Sequence, residues 1–88
     1  MQTPQSYVIE SIRNFDGTAH EREGTEKGQR VEILRCGVGA PMLVCYRDDG
    51  NKILRTSPIV SIGGTWKYPG GLVVTTKNTV YTFGKGAE

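Results

Sequence analysis

The chain has 88 residues, of which 36% are hydrophobic and 23% charged, with twelve glycines, four prolines and a net charge of +2. This describes one small soluble domain with a modest core and many short elements joined by turns. No apolar run approaches the ~20 residues that span a bilayer, and so small a charge does not announce a nucleic-acid partner.

The charge is unevenly placed. Residues 1–29 carry three basic side chains (Arg13, Arg22, Lys27) against five acidic ones (Glu10, Asp16, Glu21, Glu23, Glu26), a balance of −2; residues 30–88 carry eight basic against four acidic, a balance of +4. An acidic leader therefore precedes a mildly basic body. The start, Met1-Gln2-Thr3-Pro4-Gln5, lacks a basic region followed by an apolar run, so no signal peptide is expected and the cytoplasm is the default location.

In chain order, residues 7–13 read as a first strand on the strength of Tyr7, Val8 and Ile9, although Ile9 and Ile12 stand at helical spacing. Residues 14–29 form a long polar connection with Phe15 as its one large apolar group, functional or disordered, or holding a short irregular helix over residues 18–23. Residues 30–36 alternate as a strand with Val31, Ile33 and Arg35 on one face. Residues 37–41 break it. A strand over residues 42–47 meets Asp48-Asp49-Gly50-Asn51, a strong hairpin turn, and returns over residues 52–57. Pro58 cannot donate to a ladder, so it marks an edge, a bulge or a new segment before residues 59–62.

Gly63-Gly64 ends that run, and residues 65–71 are a loop containing Trp66, Lys67 and Tyr68. The chain then closes on its clearest hairpin. With Lys77-Asn78 as the turn, Leu72 faces Phe83, Val74 faces Tyr81 and Thr76 faces Thr79, which gives one strongly apolar face. Residues 84–88 read as a frayed polar tail. The expected fold is all-β: a small antiparallel meander of five to seven short strands closing into an SH3-like barrel, which protects edges that an open sheet would expose.

Residues 56–62, Thr-Ser-Pro-Ile-Val-Ser-Ile, followed by residues 76–81, Thr-Lys-Asn-Thr-Val-Tyr, resemble the C-terminal half of certain short, largely uncharacterised bacterial and phage proteins. In those proteins a Thr-Ser-Pro-Val-like strand precedes a Thr-x-Asn-Thr-Val-Tyr hairpin. The resemblance covers residues 41–83. It implies a compact β domain in a mobile-element context and no particular activity.

Enzymatic constellations are nearly absent. His20 lies in a charged segment, Asp48 and Asp49 are best explained as turn formers, and Gly37-x-Gly39 lacks the rest of a dinucleotide loop. Cys36 and Cys45 have no Cys-x-x-Cys spacing and read as free buried thiols, with a disulfide as the alternative if their strands pair. No metal site, cofactor or catalytic residue is expected.

Two surface features remain. Trp66 and Tyr68, beside Lys67, either plug the barrel end or are offered to a partner as anchors. Arg35, Arg47 and Arg55, with Lys52, would form a basic face if adjacent strands collect them, and a guanidinium reads phosphate and carboxylate alike. The expected function is a non-enzymatic macromolecule-binding module using Trp66, Lys67, Tyr68, Arg35, Arg47, Arg55 and Lys52. Its sharpest form is a small phage or mobile-element accessory protein that binds and occludes a host protein complex. The alternative is a nucleic-acid-binding barrel with a basic face and an aromatic stack. A homodimer through an edge strand at residues 59–62 is a further reading.

Overall fold

Six strands follow one another around a closed antiparallel barrel in the order β1-β2-β3-β4-β5-β6, as the small SH3-like barrel read from the sequence requires. They are β1 (Ser6–Asn14), β2 (Arg30–Arg35), β3 (Pro41–Tyr46), β4 (Ile53–Gly64), β5 (Leu72–Thr76) and β6 (Thr79–Lys85), with one short helix, α1 (Glu23–Glu26), between β1 and β2. The computed structural model describes residues 6–21, 23–47, 52–64 and 70–85. The expected turn over residues 48–51 and the expected aromatic loop with Trp66, Lys67 and Tyr68 lie outside these.

The closing hairpin has the register its sequence dictates. Leu72 pairs with Phe83, Val74 with Tyr81 and Thr75 with Val80. Val74, Tyr81 and Phe83 are buried, along with Thr76 and Thr79 at the turn end of the same face. The Thr76 hydroxyl donates to the Thr79 carbonyl at 3.2 Å, so the buried hydroxyl has a partner. Tyr7 meets the Phe83 ring edge-on with centroids 6.0 Å apart, and Tyr81 stacks at 6.4 Å from Phe83. Ile9, Ile12, Val31, Met42, Val44, Tyr46 and Ile59 complete the core.

Three strands depart from simple alternation, and each departure is a bulge. In β1 the register slips between Ile9 and Ser11, so Ile9 and Ile12, three residues apart, both point inward and are buried. Their helix-like spacing thus records a bulge at Glu10 rather than a helix. In β2 the slip falls between Ile33 and Arg35. Strict alternation would turn Arg35 inward with Val31 and Ile33; the extra residue, Leu34, turns Arg35 out instead.

Two further slips shape β4, one beside Pro58 on the β3 side and one between Ile59 and Ser61 on the β5 side. Leu43 pairs with Arg55 but Pro41 with Pro58, so β4 carries an additional residue as it reaches Pro58. The two segments expected on either side of Pro58 are one twelve-residue strand. Residues 53–58 pair with β3, and residues 59–64 with β5. At the slip beside Pro58 the Met42 N–H donates to the Thr56 hydroxyl at 3.0 Å, and that hydroxyl donates to the Ser57 carbonyl at 2.7 Å.

The connection over residues 15–29 is tied to the barrel at Thr18, His20, Glu23, Gly28 and Gln29. Its backbone returns along the edge of β1: His20 N–H donates to Ile12 C=O, Gly28 N–H to Ile9 C=O, and Ile9 N–H to Gln29 C=O. Glu23 Oε2 accepts the Ile12 N–H at 3.1 Å and holds Arg13 Nε at 3.1 Å. The helix expected near residues 18–23 begins at Glu23 and is a single turn. At the other terminus, Gly84 and Lys85, expected in a frayed tail, pair with Val8 and Tyr7 as the last residues of β6.

Thr56 is the residue on which the β4 bend can be tested. Thr56→Val keeps the volume but strands the buried Met42 N–H, which costs about 1–3 kcal/mol. Urea unfolding followed by tryptophan fluorescence is expected to show that loss at unchanged m-value, while Thr56→Ser retains most of the stability.

Candidate interaction surface

The outward face of β2, β3 and β4 follows from the same registers. Met42, Val44 and Tyr46 point into the core, so Leu43 and Cys45 point out. Residues directly opposite one another share a face. Glu32, Cys45 and Ile53 therefore form one outward row, and Arg35, Leu43 and Arg55 a second. Arg35 and Arg55 are exposed and flank the half-buried Leu43. Leu34, pushed out at the β2 bulge, is 48% exposed, and Ile53 is 56% exposed.

The four cations expected on one face take three different roles. Arg35 and Arg55 form no ion pair with any described residue, and so present their guanidinium groups to solvent. Arg47 shares the face but donates from Nη1 to Glu32 Oε1 at 3.1 Å, which neutralises it locally. Lys52 lies across the strand from Tyr46, whose N–H donates to the Lys52 carbonyl. Its Nζ sits 5.3 Å from the Tyr46 ring centroid, a cation–π distance, so it turns toward the inner side. The basic face is thus a pair of open arginines around a leucine. Trp66, Lys67 and Tyr68 cannot be added to it, since they lie outside the described residues.

Sequence reasoning passed over Leu34, Leu43 and Ile53, which carry the apolar part of this surface. Leu34 is signalled only by the bulge, which the local sequence does not announce. Leu43 and Ile53 were legible as the odd positions of their strands, once Val44 is fixed as a core residue.

The cysteines are separated by the sheet. Cys36 packs against the core, whereas Cys45 stands in the outward row between Glu32 and Ile53, and both are free thiols. Burial pushes the Cys36 thiol up from its ordinary value of 9.0, and burial, then the neighbouring Cys36, pushes the Tyr7 hydroxyl up as well. Among the described residues no group of three His, Cys, Asp or Glu side chains converges as a metal site. The edge expected for self-association is occupied at Ile59: β5 pairs along one side, while on the other Gly39 N–H donates to Ile59 C=O and Ile59 N–H to Ala40 C=O. Gly39 makes this approach with φ of +92°, a conformation suited to glycine.

No protein-family model, no curated protein and no solved structure matches the chain.

The Cys36 environment has a direct consequence for reactivity. A raised thiol pKa means less thiolate at pH 8.5, and the thiolate is the nucleophile. In a Cys45→Ser background, iodoacetamide is expected to label native Cys36 more slowly than the same cysteine in urea-unfolded chain. Equal rates would place Cys36 in open solvent.

Proposed function

We propose that the barrel is a non-enzymatic protein-binding module and that its contact surface is the outward face of β2, β3 and β4. The observation that carries this reading is the row Arg35–Leu43–Arg55. Two arginines without ion pairs to described residues flank a leucine, and two further exposed apolar side chains, Leu34 and Ile53, adjoin them. Arginine around an apolar centre is the composition that carries binding energy at protein interfaces. The planar guanidinium matches partner carboxylates in a two-point contact.

Glu32, and the pairing of Arg47 to it, weigh against a phosphate track. A nucleic-acid groove multiplies uncompensated cations along one line; here two remain, separated by leucine. The biological form proposed is an accessory protein of a phage or other mobile element that occludes a host protein complex. That form rests on the resemblance of residues 41–83, which include Leu43, Ile53 and Arg55. Trp66, Lys67 and Tyr68 stay in the proposal as partner-binding residues on the sequence alone.

Affinity capture from lysate of the encoding organism, with and without nuclease, tests the reading. The wild-type chain is expected to retain a stoichiometric protein through nuclease treatment. Arg35→Glu/Arg55→Glu should weaken that capture at least about tenfold, since arginine anchors each contribute about 1–2 kcal/mol or more. Capture that disappears on nuclease treatment would move the function to nucleic acid.

A further inference from the structure

β4 is longer than the strand that covers it. β5 pairs with residues 59–64 only, then turns into β6 at Lys77-Asn78. Among the described residues, residues 53–58 therefore have a ladder on the β3 side alone. The alternation of hydrogen-bonded and non-bonded pairs in an antiparallel ladder fixes which groups are left over. Tyr46 N–H donates to Lys52 C=O, so the next bonded pair is Val44 with Leu54. Ile53 and Arg55, opposite Cys45 and Leu43, turn their N–H and C=O groups away from β3.

Those groups open onto a groove of about 510 Å³ lined by Thr25, Glu26, Tyr46, Lys52, Ile53, Leu54 and Arg55. α1 forms the opposite wall, but it packs against β1 and leaves the β4 backbone uncovered. An open edge beside a groove is the arrangement used for strand addition, where main-chain bonds give affinity and alternate side chains give specificity.

Building on the protein-binding reading, we propose that this edge takes an extended, acidic segment of the partner as an additional strand. Charge decides which of its residues are acidic. A ligand side chain opposite Arg55 lies on the outward face beside an open guanidinium and is a carboxylate. The neighbouring ligand residue faces inward over Leu54 and Tyr46, near the buried Glu26 carboxylate, and is uncharged and apolar. The recognised pattern is thus an acidic residue alternating with an apolar one. Glu26 excludes acid from the groove, and Arg55 attracts it to the rim.

The probe is a set of capped seven-residue peptides in which glutamate alternates with valine, leucine or threonine, added to the full chain at low salt. The matched control replaces glutamate with lysine. Amide exchange by NMR is expected to slow about fivefold or more at Ile53 and Arg55 with the acidic set and to stay unchanged with the basic set. Arg55→Glu should weaken the acidic set by about fivefold to tenfold and admit the basic set, a reciprocal exchange that a merely folded-state role would not produce. Ile53→Pro removes an edge donor that β3 does not use, and should abolish protection without unfolding the barrel.

Peptide-induced shifts at Arg35 and Leu43 with unprotected Ile53 and Arg55 amides would overturn strand addition and leave the binding face standing. No shifts anywhere, together with failed lysate capture, would overturn both. Protection that rises with protein concentration in the absence of peptide would assign the edge to a second copy and overturn the proposal.

Discussion

One strand serving two neighbours is the constraint from which the other features follow. β4 has twelve residues against five in β5, and a barrel this small closes only if its long strand bends from one side of the wall to the other. The bend is made at the slip beside Pro58, where an added residue loosens the ladder and the Thr56 hydroxyl takes over the Met42 N–H that the ladder no longer serves. Proline fits there because its missing donor coincides with the place where the pairing changes hands. The bend brings Ile59 into the core and sends the first half of the strand beyond the reach of β5.

The opposite edge problem is solved on β1. Beyond Val8 this strand loses β2 as a neighbour, and the polar connection runs back along it, spending its own backbone groups and the Glu23 carboxylate on the exposed donors. The acidic character of the leader therefore has a structural use: Glu23 holds Arg13 and a main-chain amide together. Asp16 similarly accepts from both the amide and the hydroxyl of Thr18, which holds its carboxyl below the usual aspartate value. With β1 served in this way, the first half of β4 is the edge on which the barrel still offers main-chain groups next to a groove.

What could be read from the residues was whatever depends on period and turn chemistry. The closing hairpin was legible to the residue because Lys77-Asn78 fixes the pairing and Leu72, Val74, Tyr81 and Phe83 share one face under it. Most strand spans were legible for the same reason, although β4 was split at Pro58 and β6 was ended at Phe83. Apart from the one that Pro58 signalled, bulges were not, because one extra residue shifts a period of two without leaving a local signature: Ile9 and Ile12 mimic a helix, and Arg35 reads as an inward position. The surface suffered most. Arg35, Arg47, Arg55 and Lys52 look equivalent in sequence, and only the pairing separates two open arginines from one held by Glu32 and one turned over Tyr46. The groove was invisible for a related reason, since it arises from the unequal lengths of β4 and β5 and from a one-turn helix distant in the chain.

The central claim is that the first half of β4 keeps one side of its backbone unpaired, and hydrogen exchange of individual amides in the free protein tests it most directly. The register predicts that Leu54, bonded toward β3, exchanges slowly, while Ile53 and Arg55 on either side of it exchange at rates near those of exposed chain. Uniform protection across residues 53–55 would mean that the edge is already covered, and would contradict both the open strand and the use assigned to it.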